Sequence, residues 1–277
     1  MTLTTDFGEG SRYIAAMKGV ILSINPDAQV VDLSHSIPPQ DIATGARVLA
    51  ETAPWFPAGT IHVVVVDPGV GSDRSIVCCE FETMSVVCPD NGLLTNLAEH
   101  ENPRKIVAVE QPKYWMPVVS STFHGRDIMA PVAAHLSLGT SPDLLGTPRQ
   151  QVTMLPARQA VRTTSSTDTS SKDGADTSKE SSVGQQIEGE VVEVDSFGNL
   201  ITNITDEMLS DCPRDASVTI RCDEHETMGI YRTYSEQPPM TLVALIGSGG
   251  ALELAIVDDS AKLMLGVGTG APVVVAW

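Results

Sequence analysis

Asp67 and Arg74 stand seven residues apart in "VVVVDPGVGSDR", residues 63–74. An arginine at that distance can fold back onto the carboxylate in a charge-assisted pair. A carboxylate at a strand end can also take a proton from a reacting water. His124, in "STFHGRD", is a second group able to handle a proton, and a position before a helix disfavours its charged form. Asp6 closes "TTDFG". Each has a plainer reading: a turn or cap carboxylate for Asp6 and Asp67, a surface arginine, a satisfied core histidine. On these residues alone both readings stay open.

Two later motifs carry chemistry of another kind. "DSFGNLITN" holds Phe197, Gly198 and Asn199. It reads as a glycine turn, or as an aromatic and an amide offered to a planar ligand such as a nucleobase. "GSGG", 247–250, is a turn or a cradle of backbone N–H groups for an anion. The chain has no P-loop, no GxGxxG, no GxSxG and no His/Cys spacing suited to a metal.

The elements that must position these residues alternate through the first 150 positions. Met1–Thr5 is a short strand, and Ile14, Met17, Ile21 and Ile24 follow helical spacing. "AQVVDLS" is a strand; "DIATGARVLAETA" is a helix capped by Asp41. Residues 61–66 form a buried strand, "SIVCCEF" and "MSVVCP" a hairpin, "DNGLLTNLAEH" a short helix and "KIVAVE" another strand. "RDIMAPVAAHLSLG" is helix-like, kinked or begun at Pro131. The alternation predicts an α/β domain with a mainly parallel central sheet over 1–158. In such sheets ligands bind at the carboxyl ends of strands, where Asp6 and Asp67 fall.

Residues 159–186 are rich in Ser, Thr, Asp and Lys and read as a flexible linker or insertion. Beyond them, over 187–277, the pattern changes to short period-two strands: "QIEGEVVEVDS", "NLITNIT", "ASVTIRC", "TLVALIGS", "ALELAIV" and "APVVVAW". They predict a smaller all-β, barrel-like C-terminal domain.

The bulk numbers bound the partners. The 277 residues carry a formal charge of -18, which disfavours nucleic acid and anionic membranes. No apolar run reaches the roughly 20 residues of a membrane span, and the first residues show no basic or apolar leader, so a cytoplasmic location is expected. The five cysteines are odd in number and form no CxxC, which fits a reduced compartment without disulfides.

Taken together, "LTTDFG", "AMKGVILSINPDAQVVDLSHSIPPQDIATGA", "FPAGTIHVVVVDPGVGSDRS", "PDNGLLT", "FHGRDIMAPVAAHL" and "DSFGNLITNI" resemble, in order, the S-adenosylmethionine hydroxide adenosyltransferases. These are relatives of the fluorinating and chlorinating enzymes that use the same substrate. The resemblance implies an α/β domain plus a β-barrel, assembled as a homotrimer with sites between subunits. It implies SN2 attack of activated water on C5′ of S-adenosyl-L-methionine, giving adenosine and L-methionine, with no metal and no cofactor beyond that substrate. It places water handling on Asp67, Arg74 and His124 and the ribose diol on Asp6. It places the methionine amino group on Asp195, adenine on Phe197, Asn199 and Tyr234, and the methionine carboxylate on Ser248. The chain has Asp67 where the fluorinase pattern has tyrosine, Gly125 for a halide-binding serine, Gly249 for an arginine and Gln40 for a tryptophan. A carboxylate at 67 repels halide and favours hydroxide. The alternatives are a halogenase of the same superfamily, or a non-catalytic binder of adenosine or S-adenosylmethionine. A pure binder needs only the ribose and adenine contacts, not three water-handling residues.

Overall fold

The structure, a computed structural model, describes residues 1–156, 159–166 and 183–277. It divides into two compact units, Met1–Pro156 and Ala157–Trp277.

The first unit is built on a mixed seven-stranded sheet. Its elements are β1 (Thr2–Thr5), α1 (Arg12–Ile24), β2 (Val31–Ser34), α2 (Ile42–Thr52), β3 (Thr60–Val65), β4 (Ile76–Glu80), β5 (Met84–Pro89), α3 (Thr95–His100), β6 (Lys105–Ala108), α4 (Ala130–Ser137) and β7 (Pro148–Arg149). The strand order is β2-β1-β3-β5-β4-β6-β7. The pairings from β2 to β5 are parallel, and those from β5 to β7 antiparallel. The chain leaves β1 for β2 on one side and returns to β3 on the other. The carboxyl ends of β1 and β3 therefore flank the point where the winding reverses, which opens a crevice.

The valine run explains itself in this frame. Val63 and Val65 pack with Leu3, the α1 residues Ile14, Met17 and Ile21, and Val132 of α4. Val64 and Val66 pack on the opposite face with Leu49 of α2, Leu93, and Leu97 of α3. A strand covered on both faces has no polar side, so it reads as a continuous apolar run. Burying each valine contributes about 1.5–3 kcal/mol, which makes β3 a rigid platform for whatever follows it. α1 starts on Ser11, whose side chain accepts from Tyr13 N, and α2 on Asp41, whose carboxylate accepts from Thr44 N at 3.0 Å.

The helix expected over "RDIMAPVAAHLSLG" is divided. Gly125–Met129 winds as a π-helical turn, and α4 follows with Pro131 near its start, at the junction of the two. Wide turns of this kind recur at functional sites.

The second unit is antiparallel in its named strands: β8 (Val161–Ser166), β9 (Val183–Val194), β10 (Leu200–Thr205), β11 (Thr219–Cys222), β12 (His225–Met228), β13 (Leu242–Ile246), β14 (Ala251–Ile256) and β15 (Pro272–Ala276), with a short α5 (Ala261–Leu265). The order is β12-β11-β15-β9-β10-β14-β13, and β8 also pairs with β9. The two ends approach one another, since Thr227 Oγ1 of β12 donates to Leu242 O of β13 at 2.7 Å, so the unit is nearly closed and barrel-like. Ile187, Val191, Leu200, Ile204, Ile220, Leu252, Leu254, Val273 and Val275 fill it.

Two stretches of the segment expected to be a linker are strands. Residues 161–166 pair with 183–188 in an antiparallel ladder. β8 has β9 as its one strand partner, and such an edge strand tolerates polar side chains, so its low hydrophobicity hid it. The part of the linker expectation at 167–182 lies outside the described residues. β12 was missed for the same reason: "HETM" alternates half-buried and exposed side chains on an edge.

His62 gives the first unit a pH signature. Its side chain is buried in β3, Nδ1 meets Thr2 Oγ1 at 2.8 Å, and burial lowers its pKa to about 4. The native state thus binds this proton less readily than the unfolded chain, so the contribution is complete above about pH 6.5 and is lost as pH falls toward 4. At about 1.4 kcal/mol per unit the loss is about 3 kcal/mol. Urea unfolding from pH 7 to 4 is expected to show wild type losing about that much more stability than His62→Gln. Parallel profiles would contradict this.

Candidate functional site

Asp67 lies just beyond β3, and its carboxylate is gripped by one arginine. Arg74 Nε donates to Oδ1 at 2.9 Å and to Oδ2 at 3.1 Å, and Arg74 Nη2 donates to Oδ2 at 2.5 Å. The side chains are 5% and 12% exposed, respectively. A carboxylate this dry requires a partner. The loop between them is a tight coil, in which Val70 N donates to Asp67 O and Ser72 N to Gly69 O. Gly71 is obligatory there. It has φ +80, and a Cβ would fall 2.4 Å from Ser121 O. That close approach brings the loop against the segment carrying His124.

The same guanidinium serves His124, with Arg74 Nη2 2.8 Å from its Nδ1. Arginine is only a donor, so Nδ1 must be the unprotonated nitrogen and Nε2 carries the hydrogen. The His124 pKa is lowered by burial first and by the Arg74 charge second, outweighing Asp67 and Asp127. Its position before a helical run suggested neutrality; the structure assigns the cause to desolvation and Arg74.

Buried Asp127 holds this segment in place. It takes Arg126 Nε at 2.6 Å and Ser120 N at 2.8 Å, tying the preceding loop to the π-helical turn. Phe7, Tyr13 and Phe123 meet edge to face at centroid distances of 5.1–5.8 Å. They pin the residue after Asp6 to the residue before His124, and edge-to-face packing of this kind fixes geometry as well as burying area.

Asp6 follows β1, next to β3. Its Oδ2 accepts from Gln40 N at 2.8 Å. Asp6, Gln40, Asp67, Phe123, His124 and Gly125 line one cleft of about 270 Å³. The expectation that Asp6, Asp67, Arg74 and His124 converge is met within the first unit, with Arg74 behind Asp67 and His124. A second hollow of about 350 Å³ is lined by Arg74 and His124 together with Ser72, Ser75, Glu110 and Trp115 among others.

The remaining expected residues lie in the second unit. Asp195 Oδ1 accepts from Phe197 N at 2.9 Å and Asn199 N at 2.8 Å, and its Oδ2 from Asn199 Nδ2 at 3.0 Å. Asp195 therefore builds the turn that leaves Phe197 exposed and Asn199 buried, with Gly198 at φ +86. Ser248 is exposed in the β13–β14 turn. Tyr234 donates its hydroxyl to Glu253 Oε1 at 2.5 Å. Glu253 had no place in the sequence reading, where "ALELAIV" is simply a strand. It is buried, and its pKa is raised by burial and by Asp195, against the lowering effect of Tyr234. Among the described residues no group of three or more His, Cys, Asp or Glu is arranged to hold a metal ion.

Comparison with known proteins bears on both units. Residues 1–146 match the SAM hydroxide adenosyltransferase N-terminal domain, and residues 189–274 its C-terminal domain. An (R)-S-adenosyl-L-methionine hydrolase of Thermus thermophilus is 36% identical over 277 residues, covering 97% of this chain and 96% of the relative. The protein of the same name from Salinispora arenicola is 34% identical, covering 98% and 95%. A fluorinase of Actinopolyspora mzabensis is 25% identical, covering 72% and 69%. The crystal structure of an uncharacterized conserved protein from Thermotoga maritima superimposes with a TM-score of 0.85 at 30% identity, covering 99% and 98%.

The shared guanidinium sets an expected titration. In Arg74→Gln the charge that opposes protonation of His124 is gone while that of Asp67 remains. The His124 titration followed by NMR is expected to move upward from its wild-type position. An unchanged or lower value would contradict the assigned cause.

Proposed function

The chain belongs to the SAM hydroxide adenosyltransferase family, and on that premise we propose that it hydrolyses (R)-S-adenosyl-L-methionine to adenosine and L-methionine by SN2 attack of water at C5′. The observation that carries the mechanism is the Asp67–Arg74–His124 constellation at the cleft.

The sulfonium is already a good leaving group, because departure neutralises its charge. What is missing is a nucleophile: water has a pKa of about 15.7 and must lose its proton as it attacks. Asp67 is the proton acceptor in this reading. Arg74 occupies part of its acceptor capacity and locks its direction, and a carboxylate has positions left for a water. His124 cannot accept through Nδ1 without displacing Arg74, so its Nε2–H donates to the water oxygen and fixes its place. The O–C5′ bond forms as C5′–S breaks, the bonding pair goes to the methionine sulfur and the proton to Asp67. General-base assistance contributes about 10²–10⁴-fold, and alignment with the C5′–S axis supplies further acceleration.

Asp6 is proposed to bind the ribose diol, and Asp195, Phe197, Asn199, Tyr234 and Ser248 the adenine and methionine ends. The halogenase reading loses to the charge at Asp67. It also lacks a serine at 125, where a Cβ would lie 3.2 Å from Val65 Cγ1. We further propose a homotrimer that needs no metal and works in a reducing cytoplasm. The buried, free thiols at all five cysteines accord with that compartment, and no helix among the described residues is long and apolar enough to cross a membrane.

Asp67→Asn is expected to lose turnover by about 10²–10⁴-fold while keeping fold and substrate binding. Turnover within a few-fold of wild type would reduce Asp67 to a turn residue. Incubation in high chloride with chelator is expected to give adenosine; a chlorinated nucleoside as main product, or loss of activity on chelation, would refute the reading. Shared sites predict complementation. Asp67→Ala and Asn199→Ala chains, co-refolded, should regain about a quarter of wild-type activity, because one in four random interfaces joins two intact partners. No recovery in mixed trimers confirmed by native mass spectrometry would place each site within one chain.

A further inference from the structure

We infer that His35, which the proposed chemistry does not use, is a positioning residue that fixes the turn aiming Asp6 into the cleft. This rests on the reading of Asp6 as the ribose-diol carboxylate.

His35 sits in the loop between β2 and α2 and is 2% exposed. It touches the Asp6 turn on both sides of the carboxylate. Before it, His35 Nδ1 lies 2.9 Å from Thr5 Oγ1, and that oxygen also accepts from Phe7 N at 3.2 Å. After it, His35 O accepts from Gly8 N at 2.9 Å, and His35 N donates to Glu9 Oε1 at 3.3 Å. Thr5 is thus tied to the imidazole, Gly8 and Glu9 to the backbone of residue 35, and Phe7 to Thr5, while Asp6 between them lines the cleft.

The ring orientation is set from behind. Nε2 is 3.0 Å from Asp32 Oδ1, close but not aligned as a hydrogen bond, and Asp32 is in turn held by Lys18 at 2.6 Å. A carboxylate facing Nε2 favours the tautomer with its hydrogen there. Nδ1 is then the acceptor for the Thr5 hydroxyl, which keeps its own lone pairs for Phe7 N. The far end of the same loop grips the carboxylate itself. Gln40 takes φ +67, a conformation that a glutamine adopts only when surrounding structure enforces it, and its N–H donates to Asp6 Oδ2. One loop therefore holds the backbone of the turn through His35 and the side chain through Gln40. A diol needs both carboxylate oxygens presented at fixed angles, so loosening the turn should weaken substrate binding more than it slows the displacement at C5′.

A purely structural histidine would alter thermal stability and leave the kinetic constants alone. The test is a double-mutant cycle with S-adenosyl-L-methionine as substrate, reading KM, kcat and Tm. His35→Leu is expected to raise KM about tenfold, the effect of losing a buried hydrogen bond, with kcat within about threefold. His35→Asn, whose amide oxygen takes the place of Nδ1, is expected to restore most of the KM. His35→Gln, whose amide reaches toward Asp32 and not Thr5, is not. In an Asp6→Ala background, itself raised in KM, His35→Leu is expected to add little. Should His35→Leu fail to fold, the Asn and Gln variants carry the same comparison. A change in Tm with KM unmoved, equal KM for Asn and Gln, or full additivity with Asp6→Ala would overturn the role of His35. An Asp6→Ala protein with wild-type KM would instead overturn the reading of Asp6, and this inference with it.

Discussion

The pairing of Asp67 with Arg74 is the contact on which the rest of the first unit depends. At 5% and 12% exposure each charge is partly desolvated, and its partner offsets that cost. The pair can form only if the chain turns back within seven residues, and that turn requires Gly71 against the Ser121 carbonyl. The turn has value only if the carboxylate starts from a fixed point, and β3, buried on both faces, supplies it. Because the same guanidinium occupies His124 Nδ1, one contact sets the direction of the carboxylate and the tautomer of the imidazole together.

That arrangement also accounts for the preference proposed between water and halide. A halide needs a dry pocket with donors and no nearby anion, whereas water needs an acceptor. A carboxylate at the cleft supplies the acceptor and repels the competing anion. Fluorinases match this chain at lower identity, while proteins named as hydrolases match nearly its whole length.

Much of this was legible in the residues. The unbroken valine run signalled a buried strand, Asp41 a helix cap, and period-two alternation the second unit, because those signals are local and strong. What escaped was whatever depends on distant partners. β8 and β12 take their order from neighbouring backbones, not from side chains. The π-helical turn after His124 is fixed by Asp127 reaching back to Ser120 N. His35 looked like one more polar residue until the fold set it beside Thr5, thirty positions away. Glu253 hides in an apolar strand and shows itself only through Tyr234.

The central claim is a single direct displacement by water at C5′, with Asp67 accepting a proton and forming no bond to carbon. Stereochemistry at C5′ tests it most directly. S-adenosylmethionine made chiral at C5′ with deuterium is hydrolysed in ¹⁸O-labelled water, and the configuration and label of the product adenosine are read by NMR and mass spectrometry. One displacement predicts inversion, with the label on the 5′ oxygen. Retention would mean two displacements through a bond to the protein, with Asp67 as nucleophile, and would contradict the account.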